Sequence, residues 1–234
     1  MRTLVLADPH GSYLAMLQCF ERCGYRPNDD RLIVLGDLCD GLPQTKEIFQ
    51  YLSVIPKDNL IVIIGNHDVW LYEWLRNGAM PHIWVSQGGA ASLKSYDYEF
   101  HEITKRLLDQ AVNYYVDDQN RLYVHGGFNP NEPIENQDPF TLQWDRRLIQ
   151  HAYDKSKYST TKRTHITKYD KVFLGHSCTQ SLTKSSRPLK CYEIHDLDTG
   201  AGHGSRLTIM DATTEQYWQS DPTNELYPEY TGRG

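Results

Sequence analysis

Asn66, His67 and Asp68 follow Gly65 and the apolar run Leu60-Ile61-Val62-Ile63-Ile64. Carboxamide, imidazole and carboxylate groups bind metal ions or move protons. The same arrangement recurs. Leu4–Ala7 runs into Asp8-Pro9-His10, Leu32–Leu35 into Gly36-Asp37-Leu38-Cys39-Asp40, Leu122–Val124 into His125-Gly126-Gly127, and Val172–Leu174 into Gly175-His176. Asp8, His10, Asp37, Asn66, His125 and His176 together mix carboxylate with imidazole donors. Such a set suits a first-row ion, Mn2+ first, with Fe, Zn2+, Ni2+ or Co2+ as alternatives, rather than Ca2+. It is more than one such ion usually needs. It fits two ions about 3.5–4 Å apart that share a carboxylate, an arrangement suited to in-line displacement at phosphorus.

The chemistry this would support is direct. Two cations neutralise a phosphate ester and acidify a bridging water into the nucleophile. The leaving oxygen still needs a proton. His67, beside the ligand candidate Asn66, is placed to give it, and Asp40 is near enough to orient the ring. The plainer readings are second-ring support for His67 and a loop carboxylate for Asp40. A single Asp after a strand is as often a cap or turn former. The joint pattern, not any one residue, favours the ligand reading.

The elements that must position these residues follow from periodicity. The apolar runs read as buried strands. Tyr13, Met16, Leu17 and Phe20 recur at helical spacing, which predicts a helix over 13–23 with Ser12 as its cap. A second helix is expected over 44–52, a third after Asp68 through Arg76, a fourth over 99–112 and a fifth over 142–150. Strand, polar turn and helix in repetition predict parallel pairing with right-handed crossovers. Ligands of open α/β sheets sit beyond the carboxyl ends of the strands, so the polar turns should gather along one edge. Residues 130–140 and 156–168 read as exposed connections. Strands are expected over 191–197, 206–211 and 215–219. The expected fold class is α/β (α+β), with residues 1–221 as one domain and 222–234 as a loosely held tail.

The chain has 234 residues and a formal net charge of -6, with a mean hydropathy of -0.60. An acidic chain is a poor candidate for salt-driven binding to a long duplex. A small phosphorylated substrate stays open, because a metal supplies local positive charge. No stretch is long and apolar enough to span a membrane, so no membrane partner is expected. The five cysteines form no regular framework and no CxxC pair. That argues for a reducing, cytoplasmic setting and against a thiolate zinc site. The sequence leaves the oligomeric state open.

The motifs Asp8-Pro9-His10, Gly36-Asp37-Leu38-Cys39-Asp40, Gly65-Asn66-His67-Asp68, Val124-His125-Gly126-Gly127 and Gly175-His176 resemble those of the calcineurin-like metallophosphoesterases. More narrowly they resemble the phosphoprotein phosphatase branch, which includes bacterial and phage serine/threonine phosphatases and symmetrical diadenosine tetraphosphate hydrolases. Trp84, Gly88-Gly89, Ser95-Tyr96, Trp144-Asp145-Arg146 and Asp198-Thr199-Gly200-Ala201 are similar to that branch as well. The resemblance implies a central β-sandwich of mixed sheets flanked by helices. It implies that Asp8 and His10 hold one metal, that Asp37 bridges, and that Asn66, His125 and His176 hold the other. It makes His67 with Asp40 the general acid pair, and gives Asn66 and Arg146 contact with the phosphate. The expected function is hydrolysis of phosphomonoesters, of the serine/threonine phosphatase type, by attack of a metal-bridging water. The alternatives are a dinucleoside polyphosphate hydrolase, a polynucleotide end phosphatase or a phosphodiesterase, and more remotely a binding module without turnover. The implied partner is a phosphorylated substrate: a phosphoprotein, a nucleotide or a nucleic-acid end. The branch usually carries Asp-Arg-Gly where this chain reads Asp40-Gly41-Leu42. The arginine that grips phosphate is missing there, and Arg146, Arg147 and His203 are the candidates to compensate.

Overall fold

A computed structural model describes residues 1–158 and 165–233; part of the 156–168 segment expected to be exposed lies outside the described residues. Strand β1 (Thr3–Ala7) leads through helix α1 (Tyr13–Cys23) to β2 (Arg31–Val34), then through α2 (Thr45–Ser53) to β3 (Leu60–Val62) and α3 (Asn66–Asn77). β1 pairs with β2 and β2 with β3, both parallel. Further along come β4 (Tyr114–Val116), β5 (Arg121–Val124), β6 (Lys171–Leu174), β7 (Leu189–Cys191), β8 (Ile194–Asp196), β9 (Thr208–Asp211) and β10 (Tyr217–Gln219). Among the described residues they form two five-stranded sheets, ordered β10-β9-β1-β2-β3 and β4-β5-β6-β8-β7. β5, β6 and β8 are parallel neighbours, while β4, β7, β9 and β10 pair antiparallel. The sheets are mixed, as expected.

The layering follows from side-chain alternation, which turns successive strand residues to opposite faces. Val5, Ala7 and Ile33 from one sheet meet Tyr123, Phe173 and Leu197 from the other half in the core between the sheets. Leu4, Leu6, Leu32 and Val34 face the other way, onto Met16, Phe20, Ile48 and Phe49 of the helices. Leu122, Val124, Val172 and Leu174 pack outward against Leu142, Leu148 and Ile149. The result is a sandwich covered by helices on both outer faces.

Several boundaries differ from expectation. α3 begins at Asn66 and not after Asp68, because the Asp68 carboxylate accepts the Gly65 amide at 3.0 Å and closes the first turn. The helix expected over 99–112 is only Glu102–Leu108; Val112 is drawn into a parallel bridge with Ile63. The helix over 142–150 is two, Pro139–Trp144 and Arg147–Tyr158, broken at Asp145-Arg146. The single strand over 191–197 is the hairpin β7–β8, turning at Tyr192 with φ 59. Ser12 does not cap α1 with its side chain; its hydroxyl donates to the Pro9 carbonyl. The stretch after Pro222 is not loosely held. Thr223 Oγ1 donates to Ala201 O at 2.6 Å, and Tyr227 is buried with its hydroxyl donating to Gln44 Oε1 at 2.7 Å.

Candidate active site

The candidate residues follow the ends of β1, β2, β3, β5 and β6, Asp8 and His125 at once and Asn66 after Ile63-Ile64-Gly65. Asp8, His10, Asp37, Asp40 and His176 all take positive φ, between 46 and 75. Such backbone is costly outside glycine and concentrates where a site is held by its surroundings. Gly65 allows one close approach. A Cβ there would stand 2.2 Å from Asp37 Oδ1 and 2.4 Å from Asp37 N.

Two donor groups result. Asp8, His10 and Asp37 form one, and Asp37, His125 and His176 the other; in each, the ligand atoms lie within 4.8 Å of one another. Asp37 belongs to both, the position of a bridging carboxylate. Asn66 Oδ1 lies 3.1 Å from His125 Nε2, and so joins the second group. All six side chains are buried.

The surrounding contacts orient these donors. His10 Nδ1 donates to Cys39 O at 2.8 Å and His125 Nδ1 to Leu35 O at 2.6 Å. A carbonyl on Nδ1 fixes the tautomer and leaves Nε2 as the ligand atom. The Asp68 carboxylate accepts from the amides of Asp37, Leu38 and Gly65 at 2.7, 2.9 and 3.0 Å, which pins the loop bearing the shared carboxylate. The His67 amide donates to Asp37 Oδ1 at 3.0 Å, and the His176 amide to Asp8 Oδ2 at 2.8 Å.

The electrostatics call for cations. Burial pushes the Asp8 carboxyl well above its usual range, and Asp198 and Asp37 push it further. Asp196 is raised by burial and then by Asp198. Asp37 is also pushed up by burial, but His125, His67 and His10 outweigh that and hold it well below the usual range. Burial, followed by the charge of Arg233, lowers His10; burial takes His176 down to about 2. Both rings are therefore neutral near pH 7, the form that binds metal. Asp8 Oδ1, Asp37 Oδ2 and His176 Nε2 are buried without a hydrogen-bond partner. Orphaned atoms of this kind on a carboxylate–imidazole set fit divalent ions.

His67 sits beside these groups with a different set of partners. Its Nδ1 donates to Asp40 Oδ2 at 2.7 Å, and its Nε2 is buried without a partner. Asp40 also accepts from Trp84 Nε1 at 2.8 Å and Ser92 Oγ at 2.7 Å. Trp84, marked in the sequence only by the resemblance and given no role there, thus holds the carboxylate that holds the ring. Ser92 was not anticipated, since a serine inside a short helix gives no signal of its own.

Arg146 Nη2 donates to His176 O at 3.3 Å, and Asp198, Asp37 and Asp8 are among its charge neighbours. Arg147 turns away to Asp145 at 2.6 Å and is exposed. Asp198 is buried; its Oδ1 accepts the Gly200 amide at 3.0 Å, so it shapes the turn while its charge bears on Asp8. His203 is exposed beside it. Arg233, not singled out in the sequence, donates from Nη1 to His10 Nε2 at 2.6 Å. It sits in a polar terminal stretch without periodicity, where no local pattern marks it.

Among known proteins, the calcineurin-like phosphoesterase family matches residues 1–180. The symmetrical bis(5'-nucleosyl)-tetraphosphatase of Pseudomonas fluorescens is 34% identical over 131 residues, which cover 56% of this chain and 43% of that protein. The chain thus spans about half the length of the first curated relatives it matches. The enzyme of the same name from Haemophilus ducreyi is 30% identical across 94% of this chain and 99% of its own. Serine/threonine-protein phosphatase 1 of Salmonella typhimurium is 23% identical across 88% and 89%. A metallophosphoesterase from Sphaerobacter thermophilus shares the fold with a TM-score of 0.58 at 16% identity, covering 98% of this chain and 94% of that one. With paired donor groups on strand ends and a family match over most of its length, the chain belongs to the calcineurin-like phosphoesterases, hydrolases acting on phosphoesters.

Proposed function

We propose that the chain hydrolyses a dinucleoside polyphosphate. The observation that carries this is an aromatic ledge beside the donor groups. Trp70 meets the His67 ring edge-on at 5.1 Å. Trp144 lies 5.5 Å from Trp70 and 5.9 Å from His176. Phe140 stacks on Trp144 at 5.7 Å and is 67% exposed. An open aromatic face next to a phosphate site offers a nucleobase a stacking surface, which a phosphoserine has no use for. The names of the Pseudomonas and Haemophilus relatives support the same reading.

In this reading Asp8, His10 and Asp37 would hold one divalent ion, and Asp37, Asn66, His125 and His176 would hold a second. Bound there, the ions supply charge against the phosphate oxygens and lower the pKa of water at the site. Asn66 and Arg146 contact the phosphate. His67 delivers a proton from Nε2 to the leaving oxygen, and Asp40 keeps the ring turned toward it. The cysteines are free, which suits a reducing compartment. Among the described residues no helix is long and apolar enough to cross a membrane.

A second reading, the serine/threonine phosphatase expected first from sequence, is favoured by the Salmonella relative, which aligns nearly end to end. The deciding experiment is a substrate panel with Mn2+: diadenosine tetraphosphate, a phosphoserine peptide, an end-phosphorylated oligonucleotide, p-nitrophenyl phosphate and its bis-ester. Highest kcat/KM on the dinucleotide is expected. Preference for the peptide would replace this reading with the second. Turnover of none would leave a binding module.

A further inference from the structure

Residues 223–233 cross the candidate site, and the reaction as described makes no use of them. The crossing is anchored at both ends. Tyr227 OH accepts from Leu14 N at 2.8 Å as well as donating to Gln44, and Arg233 N donates to Gly202 O at 2.7 Å. Two positions keep the path clear. At Gly232, φ 76, a Cβ would stand 2.5 Å from Gly202 O. At Gly41, φ 96, a Cβ would stand 3.0 Å from Arg233 Cγ and 3.2 Å from Arg233 N. The space that a side chain at position 41 would enter is therefore filled by Arg233. Its guanidinium ends 2.6 Å from His10 Nε2 and 3.7 Å from Asp37 Oδ2, with the side chain 17% exposed. Arg146 and Arg233 feel each other's charge, and both lie in the field of Asp198.

We propose that Arg233 is the residue that grips the substrate phosphate, delivered by the 223–233 strap into the space beside Gly41. The proposal rests on the phosphoester hydrolysis set out above. A guanidinium presents five N–H donors in a planar fork, and here one nitrogen, Nη1, is engaged with His10. The fork matches two oxygens of a phosphate, which a lysine ammonium cannot do. Asp40-Gly41-Leu42 offers no cation of its own, so a guanidinium from a distant part of the chain supplies the charge. With Arg146 at the break between the helices Pro139–Trp144 and Arg147–Tyr158, a phosphate would be held between two guanidinium groups. The arrangement also sets selectivity, because a bulky group near position 41 would have to displace the strap.

His10 Nε2 is also the atom that His10 would offer to a metal. A strap that merely blocks the site makes the opposite forecast, and one experiment separates the two. Arg233→Ala and Arg233→Lys are made in the full chain and loaded with Mn2+. Steady-state kinetics on p-nitrophenyl phosphate, calorimetric binding of inorganic phosphate, and Mn2+ affinity are measured on each. Arg233→Ala should raise KM and weaken phosphate binding on the order of 10–100-fold, the usual loss for a charge-assisted pair. Mn2+ affinity should not fall, since an ion on His10 Nε2 would already displace the Arg233 contact; the phosphate readouts carry the test. Arg233→Lys, which keeps the strap's charge, should recover only part, and added guanidinium should partly restore the alanine variant. Unchanged KM and phosphate affinity would overturn the proposal. So would higher activity with tighter Mn2+ binding, the signature of a plug. Phosphate binding is readable even if the wild type turns over no ester, so failure of the functional reading is distinguishable from failure of this one.

Discussion

Replacing His67 by Asn tests the proton-donor role and the substrate class together. The side-chain amide of Asn can take over the donation from Nδ1 to Asp40 Oδ2, now 2.7 Å, but it has no group to replace Nε2. The His67 amide, which donates to Asp37 Oδ1 at 3.0 Å, is untouched, so both donor groups should keep their ions. A general acid contributes about 10²–10⁴-fold where the leaving oxygen is a poor one, or roughly 3–5 kcal/mol of barrier. A phosphoserine peptide should lose that much in kcat. p-Nitrophenyl phosphate, with an acidic leaving group, should lose under about tenfold on the same reasoning. A nucleotide leaving through its terminal phosphate has a last pKa near 6, so it needs little protonation at neutral pH and should also lose little. The assay is kcat for the three substrates in wild type and His67→Asn, with metal content measured on both. Equal losses across all three would refute the assignment of Nε2 as donor. Loss of metal would show that the ring serves the donor groups instead.

Three further outcomes are expected. Asp37→Asn removes the carboxylate common to both donor groups; Mn2+ content should fall from two ions to one or none, and the rise in melting temperature on adding Mn2+ should shrink, since ligand binding stabilises by about 2.7 kcal/mol at a hundredfold excess over Kd. Phe140→Ala removes the open face of the ledge; KM for diadenosine tetraphosphate should rise by about 5–100-fold, the range for one stacked base, with p-nitrophenyl phosphate unaffected. Glu215 is pushed up by burial, but Lys190 and Lys171 outweigh this, with help from His195, and hold its carboxyl down to about 2 from 4.5. Its contribution is present above pH 4.5 and lost as the pH falls toward 2. Because this carboxylate is 28% exposed, solvent screening leaves roughly 1 kcal/mol. Urea midpoints at pH 5 and pH 3 should therefore fall further for wild type than for Glu215→Gln, and parallel falls would contradict this linkage.

The parts of the fold legible in the sequence are those where burial and punctuation coincide. Beyond their first residue β1, β2, β5 and β6 are apolar on both faces because sheet packs on sheet and helices cover the outside, and a polar candidate residue follows each within three positions. That is why the donor set could be read before its geometry was known. What stayed hidden depends on contacts distant in sequence. β4 is three half-buried residues whose pairing with β5 decides their conformation. The break at Asp145-Arg146 serves the site: the Asp145 carboxylate accepts the Leu148 amide at 3.1 Å and starts the next helix, while Arg146 is left free to turn toward His176. Trp84 and Ser92 matter because Asp40 sits between them, and Arg233 because Gly41 makes room for it.

The placement of strain bears on why Asp37 is common to both donor groups. Residues in left-handed backbone cost on the order of 1–3 kcal/mol each, and Asp8, Asp37 and His176 all carry that cost. Each follows a central strand whose side chains are almost wholly buried, so the strands cannot shift to relieve it without opening the core between the sheets. Asp37 is the most constrained: its amide is held by Asp68, its Oδ1 by the amide of His67, and its Cα loop by the absence of a side chain at Gly65. Of Asp37's own two oxygens, Oδ2 is the one left without a hydrogen bond. A carboxylate fixed on one oxygen and free on the other, between two imidazole-bearing groups, is prepared to be shared. In the proposed reading, that geometry would let Asp37 serve both donor groups at once.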